Sequence, residues 1–201
     1  MFSKTQAFVC AAALALLFTG AGFSAPAFAA DTGSSGDNGT TNTPPPKAID
    51  CVALKTKEHD PHPQDWVYSV AQKKCVKKTA LNDHELYDEG RALALAGDYD
   101  AALVALQAVR NQHDAKVLTM IGYSTRKLGH TDEGIAIYHE ALAIDPNNVD
   151  THEYLGEGYI VLGRVDLAEL ELDTVQKLCG GTGCEQFQDL QKALIGDGVW
   201  H

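Results

Sequence analysis

The sequence predicts an all-α fold: a three-repeat helix-turn-helix solenoid with a C-terminal capping helix. Ahead of it the sequence places a signal peptide, a disordered linker and a small two-Cys segment. Three observations carry the prediction. Gly90, Gly122 and Gly156 recur 32 and 34 residues apart, and Gly97, Gly129 and Gly163 keep the same spacing. Small Ala102, Gly134 and Ala168 are each followed four residues on by Leu106, Tyr138 or Leu172, and then by Val109, Ala141 or Val175 on the same helical face. Past the third repeat, Phe187, Leu190 and Leu194 recur at helical spacing among polar residues.

Composition bounds the function. The chain has 201 residues, is 45% hydrophobic and 21% charged, and carries a formal net charge of −11. That is a globular composition for one domain, or one domain plus a small appendage. The acidity argues against a nucleic-acid binder, which needs an excess of Lys and Arg. Outside the N-terminus no apolar run approaches the ~20 residues of a membrane span.

Residues 1–29 read as a secretory signal peptide. Lys4 supplies the positive start, the apolar run extends from Ala7 to Phe18, and Ala27-Phe28-Ala29 gives the small-x-small cleavage pattern. Gly20, Gly22 and Pro26 cut the run short of a transmembrane anchor, and Cys10 leaves with the peptide. The expected location is periplasmic, or secreted. Residues 30–46 form a disordered linker; from Asp31 to Pro46 it holds only Gly, Ser, Thr, Asn, Asp and Pro, with nothing apolar to bury, and Pro44-Pro45-Pro46 is its stiff end. Asn38-Gly39-Thr40 matches a glycosylation pattern and is read as chance.

Four cysteines then remain, an even count that favours disulfides in an exported chain. Three pairings exist. Cys51–Cys75 and Cys179–Cys184 are favoured because each pair lies within one local segment. In the loop-entropy account they contribute about 3.5 and about 2 kcal/mol. A metal site from Cys51, His59, His62 and Cys75 fits no compact ligand spacing, and Cys179-x4-Cys184 lacks the usual redox spacing.

Residues 47–79 are the small basic segment. Seven Lys face four acids there, whereas residues 80–201 hold eight basic and 21 acidic side chains. Trp66-Val67-Tyr68 and Cys75-Val76 predict a hairpin clipped by the Cys51–Cys75 bridge. Its lysines are a solvated face, or a patch for anionic surface material, or a piece that docks on the acidic array of its own molecule or of a second copy.

The repeats span 83–114, 115–148 and 149–182. In each, the first glycine admits the neighbouring helix. The second supplies a left-handed helix end. Asp98 and Asp132 stand where they can cap the next helix, and Pro146 closes the second repeat. The period near 34 residues, with L-G-x-x-Y, A-x-x-x-(Phe/Tyr/Leu) and D-P elements, resembles the tetratricopeptide repeat family. Leu155, Gly156, Tyr159, Ala168 and Leu172 carry the match in the third repeat. Ile121, Gly122, Gly129, Tyr138, Ala141, Asp145 and Pro146 carry it in the second, which departs at Thr125 and at Gly134, where the family prefers an aromatic and Ala. The first is degenerate, with Leu93 at the aromatic position and no Pro. Residues 184–196 supply the capping helix, with one face for the last repeat and one for water. Trp200 in the tail is either an interaction handle or folded back on the cap.

The resemblance implies a concave groove lined by the first helix of each repeat. On this sequence its positions are His84, Tyr87 and Arg91, then Lys116, Thr119, Tyr123, Arg126 and Lys127, then Asp150, Glu153, Glu157 and Ile160. The family's Lys/Asn grip on a terminal carboxylate is absent. The groove runs instead from basic and aromatic to acidic, which suits a protein or peptide partner of alternating charge. No nucleophile elbow, phosphate loop, metalloprotease helix or dinucleotide fingerprint occurs, so no catalytic residue, metal or cofactor is expected. Glu153 and Glu157 form an i, i+4 carboxylate pair with no acid or base partner in the sequence pattern. The expected function is a non-enzymatic exported scaffold or adaptor that binds a partner in the groove. The alternative is an envelope-associated structural protein held by its Lys-rich segment.

Overall fold

Each repeat of the array is a pair of antiparallel helices joined at a left-handed glycine. The computed structural model describes residues 49–196. The expected signal peptide and linker, Cys10, Asn38 and Trp200 lie outside the described residues.

In chain order the elements are α1 (Cys51–Lys57), β1 (Trp66–Ser69), β2 (Lys74–Lys77), α2 (Asp83–Leu95), α3 (Tyr99–Leu106), α4 (Ala115–Lys127), α5 (Thr131–Ile144), α6 (Val149–Val161), α7 (Val165–Leu178) and α8 (Glu185–Ile195). Single 3-10 turns occupy Pro63–Asp65 and Lys78–Ala80. The repeats are the pairs α2/α3, α4/α5 and α6/α7. Within the described residues no helix is long and apolar enough to cross a membrane.

The basic segment holds a helix that the sequence reading lacks. Asp50 caps α1 by accepting from the Ala53 N–H at 2.9 Å. Seven residues with two lysines show too little periodicity to announce a helix. The strands pair antiparallel, with Val67 opposite Val76 and Tyr68 opposite Cys75. The Cys51–Cys75 bridge therefore fastens α1 to β2 rather than one strand to the other, with Cα atoms 5.6 Å apart.

The hairpin rests on the first repeat. Val67 and Val76 belong to the same buried cluster as Leu86, Leu93, Ala102 and Leu106. The buried carboxylate of Glu89 on α2 accepts from the Ser69 hydroxyl and the Val70 N–H, which satisfies the end of β1. The contact is thus apolar, with one buried acid. Of the lysines anticipated as its basis, Lys57, Lys73, Lys74 and Lys77 are exposed.

The second glycines behave as their spacing predicts. Gly97, Gly129 and Gly163 have φ of +82°, +96° and +71°. The N–H groups of Asp98, His130 and Arg164 reach back five residues to Leu93, Thr125 and Tyr159 carbonyls, closing each helix end. Asp98 caps α3 through the Ala101 N–H at 3.4 Å. Asp132 does not cap. It lies inside the first turn of α5, whose cap position is His130, and there its charge complements the helix dipole.

Two packing expectations change. Helix α3 ends at Leu106, so Val109 is buried in the following turn rather than on a helix face. Asp83 holds that turn by accepting from Arg110 Nε at 2.8 Å and the Asn111 N–H at 3.2 Å. In the third repeat, the side chain facing Gly156 is Leu190 of α8, not Leu172. A Cβ on Gly156 would stand 2.7 Å from Leu190, whereas Gly90 and Gly122 face Leu106 and Tyr138 of their own repeats. Helix α8 buries Phe187, Leu190 and Ala193, and Cys179–Cys184 bridges the turn that leads into it.

Candidate interaction groove

Helices α4 and α6 lie side by side and are joined by three rungs at helical spacing. Thr119 donates to the Ala115 carbonyl, and its oxygen lies 2.6 Å from the Thr151 hydroxyl. The Tyr123 and Tyr154 rings follow, with centroids 4.8 Å apart. The Arg126 guanidinium then donates to the Glu157 carboxylate and, at 3.3 Å, to the Tyr138 hydroxyl.

The rungs sort the expected groove residues. Thr119 is 3% exposed and Arg126 is 5% exposed, so both face the interior between helices. Ile160 is half-buried and packs into the apolar clusters beside α7 and α8. These three hold the array together. Tyr123, Lys127 and Glu157 are half-buried and border solvent. Tyr123 carries Lys127 at 5.6 Å over its ring and meets Tyr99 edge-on at 6.1 Å. Burial first, and then the nearby Tyr99, pushes the Tyr123 phenol up to about 12. Burial also raises Tyr154 and lowers the Lys127 ammonium.

The acidic end has a different character. Glu153 is 8% exposed, and no hydrogen bond or ion pair reaches its carboxyl from the described residues. Burial raises it to about 9, and Glu157, Asp150, Asp189 and Glu185 add to the rise. Asp150 is exposed and accepts from Gln186 of α8 at 2.8 Å. The capping helix therefore contributes to the groove through Gln186, Glu185 and Asp189.

The first-repeat positions form a separate depression between the starts of α2 and α4. His84, Tyr87 and Lys116 line it with Asp83, Asn111, Asp114, Val109 and Val117, around a volume of about 360 Å³. His84 pairs with Asp88 at 2.8 Å in the open, and Arg91 is exposed. Burial raises the Tyr87 phenol.

Sequence reasoning missed Tyr99, Tyr154, Glu185 and Asp189. Tyr154 stands one place from an expected groove residue, and the acids of α8 stand one turn apart, but only the docking of α8 brings them to α6. A second unexpected cavity, of about 350 Å³, lies between α1, β1 and α3, with Trp66, Tyr68, Asp50, Asp100 and Val104 in its wall. Cys51 and Cys75 are bonded to each other, so the four-ligand site with His59 and His62 is not formed. Among the described residues no three His, Cys, Asp or Glu converge as metal ligands.

No protein-family model matches the chain, and no curated protein sequence matches it. Solved structures are similar over part of the chain. The type III secretion translocator chaperone SycD of Yersinia enterocolitica is similar at 21% identity and a TM-score of 0.48, over 57% of this chain and 86% of that one. MamA is similar at 19% identity and 0.48, over 59% and 70%. PcrH, solved with the chaperone binding region of PopB, is similar at 22% identity and 0.47, over 57% and 92%.

Proposed function

We propose that the chain is a non-enzymatic scaffold that holds a protein or peptide segment along α2, α4 and α6. One observation carries this reading. Along these helices a basic and aromatic stretch, Lys116, Tyr123 and Lys127, joins an acidic one, Asp150 and Glu157, with Glu153 largely buried between them. Rigid aromatic anchors beside opposed charges are what a peptide-binding surface requires. The same reading places the mature chain in the periplasm or outside the cell, consistent with two disulfides.

The test is site-specific photocrosslinking in the native envelope. A photoreactive residue in place of Tyr123 or Asp150 captures one defined partner, and the same residue in place of exposed Glu169 on α7 does not. Equal capture from both faces, or none from the groove, removes the reading. Tyr123→Ala with Lys127→Ala weakens capture while the helical circular dichroism persists. Arg126 is unsuited to this test because it is buried.

A second reading keeps one supporting observation, the exposed Lys57, Lys73, Lys74 and Lys77 around the hairpin. In it the segment grips anionic envelope material. Deleting the hairpin would uncover Leu86 and Leu93, so the informative change is substitution of these four lysines by Ser, scored by envelope retention.

A further inference from the structure

We propose that Glu153 and the carboxylates around it form a subsite for one cationic side chain, lysine or arginine, of the bound peptide. The proposal rests on the groove-binding reading and gives that partner a chemistry.

The argument starts from who already holds a counter-charge. Glu157 holds Arg126, Asp189 holds Lys192 at 2.9 Å, and Asp150 accepts from Gln186. Glu185 brings a further acid to the first turn of α8. Glu153, the most buried of the five, has no hydrogen-bond or ion-pair partner among the described residues. Two of the three basic groups on the facing helix are committed elsewhere, and the third, Lys116, is exposed in its first turn. Arg126 is shared by Glu157 and Tyr138, and Lys127 lies over the Tyr123 ring. A buried carboxyl in a negative field has two routes to neutrality: it keeps its proton, or it meets a cation.

The surroundings select the cation. No three metal-ligating side chains converge among the described residues, which disfavours a divalent ion. The phenols of Tyr123 and Tyr154 both feel the Glu153 charge, and their tilted rings lie 4.8 Å apart. Aromatic faces attract ammonium and guanidinium groups and cover the methylene stem that carries them. On entry the Glu153 carboxyl releases its proton to solvent, and the carboxylate accepts N–H bonds from the cation. No covalent bond between heavy atoms changes. Since burial keeps the empty carboxyl protonated at neutral pH, capture strengthens with pH while the incoming group stays charged.

The probes are n-butylammonium and n-butylguanidinium, followed on the chain by carbon NMR of its glutamate carboxyls at matched ionic strength. The expected result is a fall of about one unit in the Glu153 titration midpoint, a tenfold gain in ionisation at a given pH. Accompanying shifts at Tyr123 and Tyr154 are lost in Glu153→Gln and kept in Glu169→Gln, at an exposed position on α7. An unmoved Glu153 midpoint, or the same ring shifts in Glu153→Gln, overturns the proposal. If Glu153→Gln does not fold, the wild-type titration alone decides. The two readings fail separately: absent photocapture at Tyr123 faults groove binding, and an unresponsive Glu153 faults the cation subsite.

Discussion

The guanidinium of Arg126 on α4 is held by the carboxylate of Glu157 on α6, one repeat further along the array. Their side chains are 4% and 20% exposed, so the pair sits at the inner edge of the groove. It completes the ladder of hydroxyls, rings and charges that fixes how two repeats meet.

Removing one member of such a pair strands the other. Arg126→Ala leaves the Glu157 carboxylate and the Tyr138 hydroxyl without their donor, and the expected loss is about 3 kcal/mol. Arg126→Lys does not restore it, because a lysine cannot donate in the same fork. Urea unfolding of the two single variants and of the double variant with Glu157→Gln gives the coupling. Additive losses would show that the pair is not a unit.

Glu153 makes stability depend on pH. Burial first, and then its acidic neighbours, pushes its carboxyl up to about 9 in the folded chain, from an ordinary 4.5. Between these values the native state binds more protons than the unfolded chain, so stability falls as pH rises. Glu153→Gln removes this decline. It is expected to stabilise by about 1–3 kcal/mol at pH 8 and to change little at pH 4. Thermal unfolding across that range checks it, and parallel curves for the two proteins would refute it.

The His152–Glu171 contact joins α6 to α7. His152 Nδ1 lies 2.6 Å from Glu171 Oε2, and its Nε2 lies 3.0 Å from the Pro146 carbonyl. The bond to Glu171 raises the histidine, with smaller support from Pro146. A raised histidine stabilises fully below its unfolded value and loses that contribution as pH rises through the folded one. Glu171→Gln should cost about 0.5–1 kcal/mol at pH 5.5, and less at pH 8.5. Histidine proton shifts are expected to show a lower His152 midpoint in Glu171→Gln than in the wild type.

Two glycines, one inside α4 and one just past its end, separate steric from torsional cost. A Cβ at Gly122 would meet the Tyr138 ring at 2.7 Å and the Gly134 carbonyl at 3.1 Å. Gly129 faces open space but sits at φ +96°. Gly122→Ala is expected to cost about 2–3 kcal/mol through crowding, and Gly129→Ala about 1 kcal/mol through backbone strain. Chemical denaturation distinguishes them, and equal losses would contradict the packing account.

The repeats were legible because their signals are local and recur. The three left-handed glycines and the helix pairs they join stand where the spacing places them. The departure at Gly134 also has its reason: a Cβ there would lie 2.8 Å from the Gly122 carbonyl. What the sequence hid are relationships between distant segments. No periodicity says that Leu190 replaces Leu172 against Gly156, that Glu89 terminates β1, or that Arg126 turns inward to Glu157. The groove followed from the position of each residue along a repeat, but burial depends on neighbours from other repeats. Thr119 and Ile160 were therefore assigned to a face from which packing removes them.

Helix α8 packs on both α6 and α7, at the end of the array that a further repeat would have to meet. Every joint of a stacked array presents the surface that its successor needs, so growth stops only when something unlike a repeat takes that place. Leu190 against Gly156 does so here, with the Cys179–Cys184 bridge holding the turn before it. The chain thereby counts its own repeats, and the count is secured by a covalent bond that an oxidising compartment maintains and a reducing one would open.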